Sequence, residues 1–170
     1  MKGHPGGREH SLRMLELAAL PPGVRILDMG AGAGETLALL RESGFDAVGI
    51  DLSPRTPEVL RADCLCAPFP DGSFDAVISQ CAFFVSGAVP DALREAHRLL
   101  KPGGKLLLSD VFFEAPVLLL EAAGFSVRSA EDMTAQWREY YLEALWREDA
   151  PCCTLPRGKC TYWLLIAERR

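Results

Sequence analysis

The sequence predicts an α/β fold with a doubly wound, mostly parallel sheet of seven strands and an antiparallel C-terminal strand. The first observation is a strand, a glycine turn and a helix in direct succession. The apolar residues 24–27 lead through alternate glycines into a helical pattern that starts at Glu35. A second strand at 45–51 completes a βαβ unit, which closes right-handed with parallel strands. The second observation is that strand and helix patterns keep alternating along the chain, as they do in α/β folds.

Length and charge indicate a single globular domain over residues 1–170. The chain is 49% hydrophobic with a net charge of −5, and a domain of this size buries roughly 70% of its unfolded surface. The acidic balance argues against a nucleic-acid partner, because phosphate binding needs a basic face. The longest uncharged apolar runs, such as 115–120, are far shorter than the roughly 20 residues that span a bilayer. Since residues 1–9 lack an apolar signal core, we expect a cytoplasmic protein without a membrane partner, whose six cysteines are thiols.

The remaining elements follow from apolar spacing and from the residues that end each segment. The N-terminal part, residues 1–20, is a lead-in followed by a helix, which Pro21, Pro22 and Gly23 end. Helices are predicted at 10–20, 35–43, 90–100, 115–123 and 132–148. Strands are predicted at 24–28, 45–51, 58–63, 74–79, 105–110, 125–129 and 161–167. The last helix forms most of an insertion at 131–150 before the closing strand.

The glycine turn predicts a small ligand at the end of the first strand, because glycine lets the backbone approach a bound molecule closely. Its third glycine, Gly34, comes one residue earlier than in the dinucleotide fingerprint. Glu35 at the helix N-terminus would repel a pyrophosphate, whereas a nucleoside without phosphates escapes that repulsion. Asp51 ends the second strand, where an acid binds ribose hydroxyls. Asp51 fits NAD equally well, and a solvated strand-end aspartate is the structural alternative.

Asp28, Gly30, Gly32 and Gly34 spell D-x-G-x-G-x-G, which resembles motif I of the class I S-adenosylmethionine (SAM) dependent methyltransferases. The run REAHRLLKPGGKLLLSD, residues 94–110, is very close to the segment of that family around its fifth strand. The resemblance covers roughly residues 10–130. It implies a Rossmann-like fold, SAM as the cofactor and a small-molecule acceptor.

Matching the family's motifs position by position gives a set of cofactor-binding residues. Asp63 matches an aspartate that meets the adenine amino group, in a segment where Ala67 replaces the usual leucine. The proline-broken stretch 53–57 is shorter than the helix usual in the family. The predicted cofactor-binding residues are Asp28, Gly30, Ala31, Gly32, Gly34, Asp51, Leu52, Asp63, Cys64, Ser79 and Gln80.

Methyl transfer needs mainly alignment and exclusion of water, so we look for single candidates at strand ends rather than for a catalytic triad. Cys81 follows the run I-S-Q, a spelling similar to the arsenite methyltransferases, and a soft thiolate suits an acceptor such as As(III). The alternative is a buried core cysteine. Asp110 either acts as a base or orients the substrate, or it caps the following turn. The N/D-P-P-Y/F sequence of methyltransferases that act on nucleic-acid and protein nitrogens is absent after the fourth strand.

Several features leave alternatives open. Cys152, Cys153 and Cys160 form no C-x-x-C pair, so we predict no metal site. Residues 4–7 either fold over the methionine end of the cofactor or are disordered. The aromatic helix 132–148 either packs on the sheet or in a dimer, or caps a substrate pocket, so the predicted state is a monomer or homodimer. The rival functions are an NAD-linked oxidoreductase and a non-catalytic SAM-binding protein.

Overall fold

Seven strands form one mixed sheet in the computed structural model, which describes residues 4–146 and 158–170. The strands are β1 (Arg25–Met29), β2 (Asp46–Asp51), β3 (Val59–Arg61), β4 (Phe74–Gln80), β5 (Leu100–Phe112), β6 (Phe125–Asp132) and β7 (Thr161–Arg169). The helices are α1 (Gly7–Ala18), α2 (Glu35–Glu42), α3 (Phe83–Ser86), α4 (Val89–Leu99), α5 (Pro116–Ala122) and α6 (Thr134–Trp146). None of these described helices combines the length and apolarity needed to cross a membrane.

The strand order is β3-β2-β1-β4-β5-β7-β6, which confirms the predicted doubly wound sheet. β1 lies between β2 and β4 and runs parallel to both, with Asp28 opposite Gly49 on one side and Ile78 on the other. β7 is antiparallel to β5 and β6, as predicted for the closing strand. The order reverses at β1 and β4, and ligands of open α/β sheets bind at the carboxyl ends of strands beside such a switch point.

Helices cover both faces of the sheet. Met14 of α1 and Leu37 of α2 pack on one face, while Leu93 of α4 and Leu120 of α5 pack on the other. A third apolar cluster lies beyond the carboxyl end of β5. Its buried members are Cys81, Val111, Trp137, Tyr141, Cys160 and Tyr162. α6 therefore packs against β7 and the end of β5, which matches the predicted packing on the sheet.

Several element boundaries differ from the predicted ones. β5 begins at Leu100 rather than at 105, because Leu100 pairs with Phe74 across a register shift in β4. β6 extends to Asp132, which pairs with Trp163, so α6 begins at Thr134 and not at 132. The predicted insertion at 131–150 therefore starts with two strand residues, and residues 147–150 lie outside the described part of the chain. α1 begins at 7 instead of 10, and the short helix α3 is absent from the prediction.

Candidate functional site

The glycine turn after β1 is held tightly against the end of β2. The N–H groups of Gly30 and Ala31 both donate to the carbonyl of Ile50, at 2.8 and 2.9 Å. Gly30 has φ 87°, and a Cβ at this position would lie 2.2 Å from the Cβ of Ala82. Only glycine satisfies both conditions. The turn therefore brings backbone N–H groups to the ends of β1 and β2.

Two carboxylates flank this turn. Asp51 accepts hydrogen bonds from the N–H of Gly32 at 2.9 Å and from the N–H of Ser53 at 2.8 Å. Asp28 is buried, and its Oδ2 atom has no hydrogen-bond partner among the described residues. Burial, and next the nearby Asp51 carboxylate, raises the pKa of Asp28 to about 7. A buried acceptor without a partner costs free energy, so this site favours a ligand with a donor or a positive charge.

Two adjoining cavities lie around the turn. The larger, with a volume of about 330 Å³, opens at the carboxyl ends of the strands, and we call it the cofactor-side cavity. The predicted residues that line it are Gly30, Gly32, Asp51, Leu52, Asp63, Cys64, Gln80 and Cys81. A smaller cavity of about 60 Å³ continues around the turn, and the predicted residues Asp28 and Ala31 line it. Volumes of a few hundred Å³ are typical of small-molecule sites.

Three predicted residues do not line either cavity. The Ser79 side chain is fully buried and donates its hydroxyl to the carbonyl of Met29 at 2.9 Å, which ties β4 to β1. Gly34 forms the left-handed residue before α2. The carboxylate of Asp110 is buried and accepts the N–H groups of Phe83 and Phe84 at the start of α3. Asp110 therefore holds the start of α3, which precedes it in the chain, rather than capping the turn that follows it as the sequence suggested.

Cys81 lies where the cofactor-side cavity meets the third apolar cluster. Its backbone is left-handed, with φ 58°, and its N–H donates to the carbonyl of Ser109 at 2.9 Å. Its Sγ atom lies 3.4 Å from the Tyr162 hydroxyl oxygen. A non-glycine residue in this conformation is uncommon and clusters at functional sites. Cys64 lines the same cavity, but burial and then the Asp63 carboxylate raise its pKa to about 11, so it is a neutral thiol at neutral pH.

The N-terminal segment closes one side of the smaller cavity. His4 lines it and is buried, and its Nδ1 atom lies 3.3 Å from Nε2 of Gln80. The side-chain amide oxygen of Gln80, Oε1, accepts hydrogen bonds from the hydroxyls of Ser11 at 3.1 Å and Thr36 at 3.0 Å. These contacts favour a folded His4 segment over a disordered one. In the sequence, the only indication of this folded segment is the run His-Pro-Gly-Gly at residues 4–7.

Arg55 and Thr36 are among the lining residues that sequence reasoning missed. Arg55 lines both cavities, and its guanidinium lies 3.2 Å from the position that a Cβ on Gly32 would occupy. Thr36 lines the smaller cavity from the first turn of α2. Proline on either side of Arg55 marked only a broken segment, so no periodic signal identified this side chain. The described residues hold no group of three or more potential metal ligands, and Cys152 and Cys153 lie outside them.

The fold places two cavities at the carboxyl ends of its strands, and comparison with known proteins shows what this domain is similar to. Residues 27–108 match the family model described as "Methyltransferase domain". The chain is 38% identical to a demethylmenaquinone methyltransferase of Thermus thermophilus over 112 residues, which cover 56% of this chain and 51% of the relative. It is 33% identical to an arsenite methyltransferase of Aquipseudomonas alcaligenes over 119 residues, covering 55% of this chain and 34% of the relative.

A solved structure has the same fold as this chain. Phosphoethanolamine N-methyltransferase 2 of Haemonchus contortus, in complex with S-adenosyl-L-methionine, superposes with a TM-score of 0.78 at 20% identity, covering 98% of this chain and 53% of that one. The predicted Rossmann-like fold is confirmed, and the predicted resemblance to methyltransferases is confirmed over residues 27–108, which match the family model. The chain spans about half the length, or less, of these relatives.

Proposed function

We propose that this chain transfers a methyl group from SAM to a small-molecule acceptor by in-line displacement. The observation that carries the proposal is the convergence of the glycine turn, Asp51 and the Asp28 Oδ2 atom, which has no hydrogen-bond partner among the described residues, on one pair of cavities. SAM offers matching groups: ribose hydroxyls that donate to Asp51 and an ammonium group that donates to Asp28. Gly30 and Gly32 admit the ligand close to the backbone.

The remaining predicted contacts follow from the lining of the cofactor-side cavity. Asp63 is exposed at its rim, where an adenine amino group can donate to its carboxylate. Leu52 and Cys64 supply apolar surface for the purine. Glu35, the first residue of α2, lines the smaller cavity and disfavours a pyrophosphate there, which supports SAM over NAD. The methyltransferase relatives support the same choice.

The transfer step needs few catalytic groups from the protein, because the cofactor supplies the leaving group. The acceptor's lone pair forms a bond to the methyl carbon as the sulfur–methyl bond breaks, and the electron pair returns to sulfur to give S-adenosylhomocysteine. Holding the two reactants in line and excluding water supplies several kcal/mol. Of the two candidate catalytic residues, Asp110 positions α3 through its hydrogen bonds. Cys81 lines the cofactor-side cavity.

A calorimetric titration tests the cofactor. We expect SAM and S-adenosylhomocysteine to bind, NAD not to bind, and Asp51→Ala to weaken SAM roughly 10- to 100-fold, because two charge-assisted hydrogen bonds are lost. Asp46→Ala is the matched control, since Asp46 is an exposed acid at the opposite end of the same strand. Binding of NAD without SAM would refute the proposal. Binding of SAM without transfer to any acceptor in an extract would favour the non-catalytic rival.

A thiophilic acceptor is a second possibility, supported by the position of Cys81 and by the relative named as an arsenite methyltransferase. A titration with As(III) tests whether the acceptor is thiophilic. We expect Cys81→Ser to lose As(III) binding. Cys66→Ser is the control, since Cys66 is exposed, and should retain it. Unchanged binding in Cys81→Ser would remove this residue from the site. The cytoplasmic location and the monomeric or homodimeric state stay predictions from the sequence.

A further inference from the structure

A row of hydrogen bonds among four buried side chains ends at the cofactor-side cavity. Sγ of Cys81 lies 3.4 Å from the Tyr162 hydroxyl oxygen, which in turn lies 2.6 Å from the Ser109 hydroxyl oxygen. Nε2 of His10 lies 2.7 Å from the same Ser109 oxygen. Each of the four residues is at most 8% exposed, and Cys81 lines the cavity. The row therefore joins the cavity to α1, which carries His10.

The direction of these hydrogen bonds follows from the number of protons available. The Ser109 hydroxyl has one proton and donates it to the Tyr162 oxygen. The contact between His10 and Ser109 therefore needs its proton from Nε2 of His10. The Tyr162 proton is then left for the sulfur of Cys81. Three donors thus point in succession towards Sγ, an arrangement that stabilises negative charge on the sulfur.

His10, the first donor of the row, is neutral. Burial, and next His4, lowers the pKa of His10 to about 4, while Glu131 opposes this change. The imidazole therefore carries one ring proton at neutral pH, and the direction of the row places that proton on Nε2. His10 acts on the sulfur as a hydrogen-bond donor and not as a cation.

Tyr162, the last donor, also keeps its proton. Burial, and next Cys81, raises the pKa of Tyr162 well above its usual range, and Asp110 acts in the same direction. The Asp110 carboxylate itself accepts backbone N–H groups at the start of α3. Cys64, the other thiol that lines the cavity, is neutral at neutral pH because its pKa is raised to about 11.

The backbone fixes the sulfur at the end of the row. Cys81 has φ 58°, and its N–H donates to the carbonyl of Ser109 at 2.9 Å, so Ser109 holds this residue through both its backbone and its hydroxyl. A non-glycine residue persists in this conformation only where its surroundings determine it. An independent sign of a ligand lies in the adjoining cavity, where the buried Asp28 Oδ2 atom has no hydrogen-bond partner among the described residues.

We propose that Cys81 is the base of the transfer and that Tyr162, Ser109 and His10 are positioning residues that hold its sulfur as a thiolate. The proposal rests on the methyl-transfer function proposed above, and it requires an acceptor whose reacting atom carries a proton. The lone pair of that atom bonds to the methyl carbon, and the sulfur–methyl electron pair returns to the cofactor sulfur. The acceptor proton passes to Sγ of Cys81, and its bonding pair stays on the acceptor. The positive charge of SAM and the negative charge of the thiolate both disappear.

Alkylation of the full chain by iodoacetamide, followed by peptide mass spectrometry, gives the pH midpoint of thiolate formation for Cys81. Tyr162→Phe removes only the hydroxyl group. We expect it to raise the midpoint by about one pH unit, a tenfold loss of thiolate, because a hydrogen bond to a charged group is lost. An unchanged midpoint would overturn the proposal.

Two controls accompany this measurement. Cys66 is an exposed thiol outside the row, and its midpoint should be the same in every variant. Thr161→Val removes a hydroxyl from the neighbouring residue of β7, one that donates to the carbonyl of Phe112, and should leave the Cys81 midpoint unchanged. A shift in Thr161→Val as large as that in Tyr162→Phe would show a general disturbance of β7 and refute the role of the Tyr162 hydroxyl.

A pair of variants tests the far end of the row. His10→Gln keeps an N–H donor for the Ser109 oxygen, whereas His10→Leu has none. We expect the first to keep the wild-type midpoint of Cys81 and the second to raise it. Equal shifts in the two variants would refute the role of His10. If His10→Leu does not fold, the Tyr162→Phe result decides the proposal.

Transfer from methyl-labelled SAM into an extract tests the role as a base. We expect Tyr162→Phe to be at least tenfold slower than wild type at pH 7 and to recover at pH 9, because a higher pH restores the thiolate. An equal loss at both pH values would indicate structural damage and overturn the proposal. Appearance of the methyl group on Cys81 itself would show a nucleophile instead of a base.

Calorimetric titration of SAM separates this proposal from the proposed function. We expect Tyr162→Phe to bind SAM as wild type does, because Tyr162 lines neither cofactor cavity. If wild type binds SAM and transfers its methyl group while the Cys81 midpoint does not move in Tyr162→Phe, only the base is wrongly assigned. If wild type does not bind SAM, the proposed function fails and the base fails with it.

Discussion

Replacing Asp110 by alanine tests whether this carboxylate is part of the structure or of the chemistry. Its two oxygens accept three backbone N–H groups: Phe83 at 2.9 Å, Phe84 at 3.1 Å and Val111 at 2.8 Å. Asp110 is only 1% exposed to solvent, so water does not replace the acceptor that the variant removes. Each hydrogen bond to a charged group contributes about 1.5–3 kcal/mol, and neighbouring bonds do not add fully. We therefore expect Asp110→Ala to lower the free energy of unfolding by about 4 kcal/mol, or the melting temperature by roughly 10 °C.

Urea unfolding followed by circular dichroism measures this loss. Asp132→Ala is the matched control, because Asp132 also accepts a backbone N–H at a helix start, that of Thr134 at 2.9 Å, but is exposed. Loss of such an exposed cap costs about 1 kcal/mol. If Asp110→Ala unfolds within 1 kcal/mol of wild type, the capping explanation is wrong, and the role of Asp110 as a base regains support.

Three further predictions use the same unfolding assay. Asp28→Asn should stabilise the ligand-free chain at pH 8 by about 1–3 kcal/mol. The folded-state pKa of Asp28, about 7, lies above its ordinary value of 3.8, so stability is lost as the pH rises from 3.8 through 7. Identical pH dependence in the variant and the wild type would count against this prediction. The folded-state pKa of His10, about 4, lies below its ordinary value of 6.5, so the contribution of His10 to stability is complete above pH 6.5 and is lost as the pH falls towards 4. His10→Asn should therefore lose less stability over that range, and an equal loss would contradict the burial of a neutral imidazole. Gly30→Ala should cost at least about 2 kcal/mol more than Gly23→Ala, because both glycines have positive φ but only the first meets Ala82; similar costs would refute the contact.

The parts of the fold that depend on local chemistry were predictable from the sequence. Residue type and spacing predicted the glycine turn and the acid at the end of β2. In the structure, the N–H of Gly32 donates a hydrogen bond to Asp51. Apolar periodicity and helix-ending residues placed α2 and α4 within one residue at each end. These signals are contained within a few residues, so they need no knowledge of distant contacts.

The parts that depend on distant contacts were not predictable. The helix α3 is one turn long and has no periodicity, and it is held by Asp110, which lies far along the chain. The register of β4 on β1 turns the hydroxyl of Ser79, a predicted cofactor residue, to the carbonyl of Met29, and no local pattern indicated that contact. His10 looked like the start of a helix, whereas the packing of α1 on β5 joins it to Ser109.

The last strand of the chain is not the last strand of the sheet. β7 lies between β5 and β6, and β6 has no other neighbour in the sheet of described residues. A chain growing from the ribosome therefore makes β6 before its pairing partner exists. Insertion of β7 joins both strands in one late, cooperative step, and until then β5 and β6 each carry an open edge. Open edges of this kind promote association between chains, so the interval before β7 docks is the stage of folding most exposed to aggregation.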